Sequence, residues 1–257
     1  MGIFIKQSLK FFIYIVLINS WSKLLTSNQV DLNTAKQEFL NGNYDQSIFL
    51  ASQINTLESM IFLSRTISIY TNFFEKGEEA KESYLKAYNI SKKAILINEN
   101  NTLAYTEAAH ALGRYGQEIG IMSAITEGIA TRVKTYLDKA LNLDNNNIFA
   151  NLSKGLWHAE IINQAGHVLA RGMYGAKSET ARMHFSKVVN LNSNDNIDDI
   201  AILYELSYGY SLLGEKKDLE NSKAYLEKLL NINSISNIDN LYKEKAKKLS
   251  NKIANLS

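Results

Sequence analysis

An all-α fold, a right-handed helical solenoid of about five helix-turn-helix units, two with long insertions and the last followed by a C-terminal capping helix, is predicted by three observations. The first is a phrase that closes a helix four times: AILINENN at Ala94–Asn101, ALNLDNNN at Ala140–Asn147, VVNLNSND at Val188–Asp195 and LLNINSIS at Leu229–Ser236. The phrases start at residues 94, 140, 188 and 229, giving spacings of 46, 48 and 41 residues, a range in which self-similarity marks a helical solenoid. The second is an amphipathic stripe repeated in the helix ahead of each phrase. The third is the absence of proline from a 257-residue chain rich in asparagine. Helix breaks then fall to Asn, Gly and Ser, which compete for backbone hydrogen bonds or tolerate left-handed backbone.

Taken in order, the chain opens with Lys6 and Lys10, the apolar run Phe11–Ile18 and the small polar stretch Asn19-Ser20-Trp21-Ser22. A basic region, a short apolar core and small residues near a cleavage point are the layout of a secretory signal, and the run is short of the roughly 20 apolar residues of a membrane span. Residues 1–22 are therefore expected to be a signal peptide or, if retained, an N-terminal anchor; a buried first helix is the third reading. Residues 23–257 form the solenoid domain. The expected address is periplasmic, with attachment to the inner membrane as the alternative.

A first hairpin is expected from Leu32–Leu40 to Tyr44–Ile54, turning at Asn41-Gly42-Asn43. The four phrase-closing helices then carry stripes at i, i+3, i+4, i+7 and i+8. They read Ala87/Ile90/Ser91/Ala94/Ile95, Val133/Tyr136/Leu137/Ala140/Leu141, Ala181/His184/Phe185/Val188/Val189 and Ser222/Tyr225/Leu226/Leu229/Leu230. After the first three phrases new helices begin, with stripes Tyr105/Ala108/Ala109/Leu112, Phe149/Leu152/Ser153/Leu156 and Leu203/Leu206/Ser207/Tyr210. Small residues Ala109, Gly155 and Gly209 recur about two turns in, where a neighbouring helix can cross closely. Asp239–Leu256, with Leu241, Leu249 and Ile253 inward, is the expected cap.

The longer spacings exceed the tetratricopeptide period of about 34 residues. The surplus falls in Gly113–Thr131 and Ile161–Lys177, between the two helices of successive units. Insertions in repeat proteins project on one face, often the binding face.

Within Gly113–Asp195, the Gly155-Leu156-Trp157 triplet, Glu160, the Tyr174-Gly175-Ala176 turn and His184-Phe185 resemble the tetratricopeptide-like domain of the regulator of microtubule dynamics family and its bacterial exported relatives. The resemblance implies an all-α repeat protein that works by binding other proteins, with no catalytic residues to carry over. The chain departs from the tetratricopeptide pattern at the loop proline, where Glu99, Asn145, Ser193 and Ser234 stand. An exported bacterial chain would not meet microtubules, so only fold and binding mode are carried over.

Composition narrows the chemistry. A formal charge of +2 without a basic stripe argues against nucleic-acid binding, and zero cysteine removes thiolate chemistry, disulfides and Cys-ligated zinc. His184 takes the stripe position of Ile90, Tyr136 and Tyr225 and so reads as a packing residue. His158, Glu160 and His167 lack metal-ligand spacing, no HExxH or G-x-S-x-G occurs, and the glycines at 113, 116 and 120 match no phosphate loop. Close helix packing is their simpler explanation. No catalytic residue, cofactor or metal is expected, and the protein is read as non-enzymatic. The candidate partner or ligand site is Arg114, Tyr115, Glu118, Trp157, His158, Glu160, Arg171 and Tyr174, aromatic anchors with polar fixers typical of interfaces. A protein or peptide partner on the concave face, in an interaction module or scaffold, is the first expectation. A small-ligand-binding or transport-accessory protein is the second, favoured if the insertions close over a pocket lined by Arg114, Glu118 or Arg171.

Overall fold

The computed structural model describes residues 31–192 and 199–255; the signal or anchor expected at residues 1–22 and the end of the third phrase lie outside them. Among the described residues five helical hairpins follow one another. They are α1 (Leu32–Asn41) with α2 (Tyr44–Ser52), α3 (Leu57–Phe74) with α4 (Gly77–Ile97), and α5 (Thr102–Ile119) with α7 (Ile129–Leu143), this last pair enclosing the short α6 (Ile121–Thr126). Then come α8 (Ile148–Leu169) with α9 (Ser178–Asn192), joined through a π-helical turn at Ala170–Tyr174, and α10 (Ile200–Leu213) with α11 (Lys216–Asn231). The last described helix is α12 (Asn237–Ala254). Among the described residues there is no strand, and no helix is long and apolar enough to cross a membrane.

The asparagines of the repeated phrases do more than interrupt helices. Asn101 and Asn147 are N-caps, each accepting through Oδ1 the N–H three residues on, from Ala104 and Ala150, at 2.9 Å. Asp199 caps α10 in the same way. Each such cap stabilises its helix by about 1 kcal/mol. The closing stripes superpose as expected: in all four helices the first, third and fourth stripe positions are buried, for example Ala181, Phe185 and Val188. Gly155 and Gly209 act as the close-approach points. A Cβ at either would stand 2.4 Å from the ring of Phe185, which fills the space between α8 and α10.

The stripe of α8 needs correction. Phe149 is 37% exposed, with the Arg65 guanidinium 4.6 Å from its ring centre. Leu152 is buried as expected, but aligned on the N-caps the line equivalent to those of the sister helices is Asn151/Lys154/Gly155/His158, two residues later and also buried. Polar residues can take core positions there because each is satisfied. Asn151 Nδ2 donates to the carbonyls of Asn145 and Asn147, both at 2.9 Å. Its Oδ1, thereby fixed as an acceptor, faces His184 Nδ1 at 2.9 Å. Lys154 Nζ donates to Asp138 Oδ1 at 2.5 Å, and His158 Nδ1 accepts the Lys177 N–H at 3.2 Å.

The first helices of the last four hairpins, α3, α5, α8 and α10, contact one another in succession. α12 continues this row beside α10 and buries Ile238, Tyr242, Ala246, Leu249 and Ile253. It also does what an end cap does not. Lys245 Nζ donates to Asn72 O at 3.2 Å and Oδ1 at 2.9 Å, and Tyr242 meets Phe73 edge-on with ring centres 5.0 Å apart. Asn237 lies against Gly42, where a Cβ would sit 2.6 Å from Asn237 Nδ2. The last helix thus returns to the first two hairpins.

Candidate functional site

Both insertions are built from broken helices. α5 presents Ala109, Gly113 and Gly116 toward α7, and Gly116 admits Ile129 so closely that a Cβ would stand 2.8 Å from its Cγ2. Close packing thus explains Gly116. Gly120 differs: nothing lies within 4 Å of a Cβ there, and its φ of +82° breaks the chain between α5 and α6, a conformation suited to glycine. In the second insertion Gly166 (φ 74°, ψ 159°) kinks α8, and Gly175 at φ 70° ends the π-helical turn.

Between these excursions lies a cavity of about 340 Å³. Ile129, Val133 and Leu137 of α7, Leu156, Trp157 and Ile161 of α8, and Ala124 and Ile125 of α6 give it apolar walls, with Tyr174 from the π-helical turn. Trp157 is fixed in its wall by donating Nε1–H to the Ala130 carbonyl at 2.9 Å. Polar groups gather where α5, α8 and α10 meet, and they form one connected chain. Arg114 Nη2 donates to Glu205 Oε1 at 3.1 Å, and Arg114 Nη1 donates to Gln117 Oε1 at 3.2 Å. Gln117 Nε2 and the Tyr208 hydroxyl both donate to Glu160 Oε1, at 2.9 and 2.7 Å. Burial pushes the Glu160 carboxyl above the usual carboxylate range, only partly offset by Tyr208 and Arg114. Burial likewise raises the Tyr208 phenol, reinforced by Glu160, so it remains a donor.

Four of the eight residues expected from the sequence line this cavity: Arg114, Trp157, Glu160 and Tyr174. The other four do not. Tyr115 packs against the core on another face of α5, Glu118 and Arg171 are exposed, and His158 is buried toward the Lys177 backbone. Gln117, Glu205 and Tyr208 were not anticipated. Aligning the first helices on their caps, Asn101, Asn147 and Asp199, would have found two of them. That register puts Glu107, Ser153 and Glu205 on one line and His110, Leu156 and Tyr208 on the next, beside Arg114 and Glu160.

The same row holds a second ion pair. Arg65 of α3 donates through Nε and Nη2 to Glu107 Oε1, at 2.8 and 2.5 Å. Burial of Glu107 alone would raise its pKa, but Arg65 and His110 hold it below the usual carboxylate range. Among the described residues no group of three or more metal-ligating side chains occurs.

A family model described as "Regulator of microtubule dynamics protein 1-3" matches residues 28–254. No curated protein matches the chain.

Proposed function

As a member of the regulator of microtubule dynamics family, this chain is, we propose, a non-enzymatic binding protein whose recognition site is the cavity between its two insertions and whose ligand is a small, largely apolar molecule. The carrying observation is the cavity itself. At about 340 Å³ it falls at the small end of the range for small-molecule sites, about 300–1,000 Å³. Its apolar walls with polar groups gathered at one end are what such sites use to bind and to orient. A solenoid that holds an extended peptide needs an open groove, whereas here α12 lies along the row of first helices.

A protein-interaction module is the second reading, and two observations favour it. The family description concerns the regulation of microtubule dynamics, and the second insertion exposes Val168 (84%), Leu169 (56%) and Met173 (62%).

Titration with Nile red, a neutral apolar fluorophore, separates the two. Its emission is expected to rise saturably with the protein and to lose that rise in Ala165→Trp, which fills the cavity from a half-buried position of its lining. An undiminished rise in a folded Ala165→Trp protein would sink the cavity reading. The exposed residues of the second insertion would then be the supported site.

Export belongs to the same proposal, on the strength of Lys6, Lys10 and Phe11–Ile18. N-terminal sequencing of the protein from its own cell is expected to begin near Lys23. An intact Met1 on membrane-associated protein would replace cleavage by anchoring.

A further inference from the structure

The polar end of the cavity offers more acceptor than donor. The Arg114 guanidinium is engaged through Nε, Nη1 and Nη2, by His110 Nε2 at 3.5 Å, Gln117 and Glu205 Oε1. Lys245, the other cation whose charge acts on this pair, is turned to Asn72. Glu160 is held only by neutral donors, a phenol and an amide. Glu205 Oε2 is buried with no hydrogen-bond partner. A buried carboxylate oxygen left unpaired is costly, because it has given up water without replacement. Of the charged groups that line the cavity, two are carboxylates and one is a guanidinium, while Lys245 lies outside the lining, so the wall a head group meets favours a cation over an anion.

The geometry points to the ligand class: an amphiphile whose apolar body lies against Val133, Leu137, Leu156 and Trp157 and whose head is a protonated amine donating to Glu205, with Glu160 as the second negative charge. This rests on the cavity being the ligand site. The apolar walls set the depth of binding, and the two carboxylates of the lining set the chemistry of the head. An alcohol of the same chain length can donate one hydrogen bond but brings no charge. A carboxylate would meet Glu205 and Glu160 as like charges.

Calorimetric titration of the full chain with n-octylamine, n-octanol and n-octanoate at neutral pH tests this, with displacement of Nile red as the measure of cavity occupancy. n-Octylamine is expected to bind about tenfold to a hundredfold more tightly than n-octanol, the span of a hydrogen bond made between charged groups, and n-octanoate least tightly. Glu205→Gln should remove most of the preference of n-octylamine over n-octanol. If that variant fails to fold, the ranking of the three probes on the unaltered protein decides. Equal displacement of Nile red by all three would overturn the amine assignment and leave the cavity reading standing. Failure of every probe to bind, together with Nile red emission indifferent to Ala165→Trp, would overturn both.

Discussion

Acidification from about pH 7 to about pH 5 is expected to cost the fold about 2–4 kcal/mol, through two histidines that cannot take up a proton where they are. Burial, reinforced by the nearby Lys154 charge, lowers the pKa of His158 to about 3 and of His184 to about 4. Unfolded, both would titrate near the ordinary value of about 6.5. Below that value the unfolded chain binds more protons than the folded one. Stability is therefore complete above about pH 6.5 and falls as the pH drops toward the folded values. Glu160 acts in the opposite sense, since its raised pKa lets the folded protein gain a proton first. Both histidines use Nδ1, His158 as acceptor from Lys177 N–H and His184 toward Asn151 Oδ1. Asparagine can reproduce either contact without titrating. Urea midpoints at the two pH values should converge in a His158→Asn, His184→Asn double variant, and an undiminished pH slope would refute the assignment.

Gly155→Ala and Gly209→Ala are each expected to cost about 3 kcal/mol, the upper part of the range for overpacking a tight core. The new methyl would stand 2.4 Å from Phe185 Cε1 in the first case and 2.4 Å from Cζ in the second. Phe185 has no exposed surface and no free direction in which to retreat, being also packed on Tyr210 with ring centres 5.0 Å apart. For a protein of this size the loss corresponds to a fall of roughly 10 °C in Tm. Gly172→Ala is the control, because nothing lies within 4 Å of its Cβ position, and its Tm should hardly move. Combining Gly155→Ala with Phe185→Leu should recover part of the loss, since contacting residues do not behave additively. A Gly155→Ala protein with an unchanged Tm would show that α8 and α10 do not need this approach.

The two results concern parts of the fold that differed in how readily they could be read. The four closing stripes were legible because, His184 apart, they are built from apolar, aromatic or small residues at helical spacing, and the small residues at 155 and 209 announced a crossing. The α8 stripe was legible only in part, because apolar periodicity finds the buried Leu152 but starts at the exposed Phe149 and passes over Asn151, Lys154 and His158. Those polar residues are core only by virtue of partners supplied by α7, α9, two loop carbonyls and the Lys177 N–H. The site divides on similar lines. Arg114, Trp157, Glu160 and Tyr174 sit in or beside the insertions, where a break in the repeat drew notice. Glu205 lies 91 positions from Arg114 along the chain. Its role depends on how successive hairpins are stacked, which local periodicity does not encode. His184 shows both sides, since its place in the stripe was correct while its bond to Asn151 belongs to tertiary structure.

The contact between Lys245 and Asn72 bridges 173 positions, and it changes the statistical mechanics of the repeat. An open array behaves as a row of units coupled only to their neighbours, so it can fray from either end and nucleate anywhere. Joining the last helix to the first two hairpins gives every unit two neighbours, which removes the weak terminal modules from which fraying starts. It also delays completion. The ordering contact forms only once the final segment has left the ribosome, and closing so long a loop is the kind of non-local step that slows folding. Melting of the α1–α2 hairpin is thereby tied to that of α12, at the far end of the chain, in one cooperative transition.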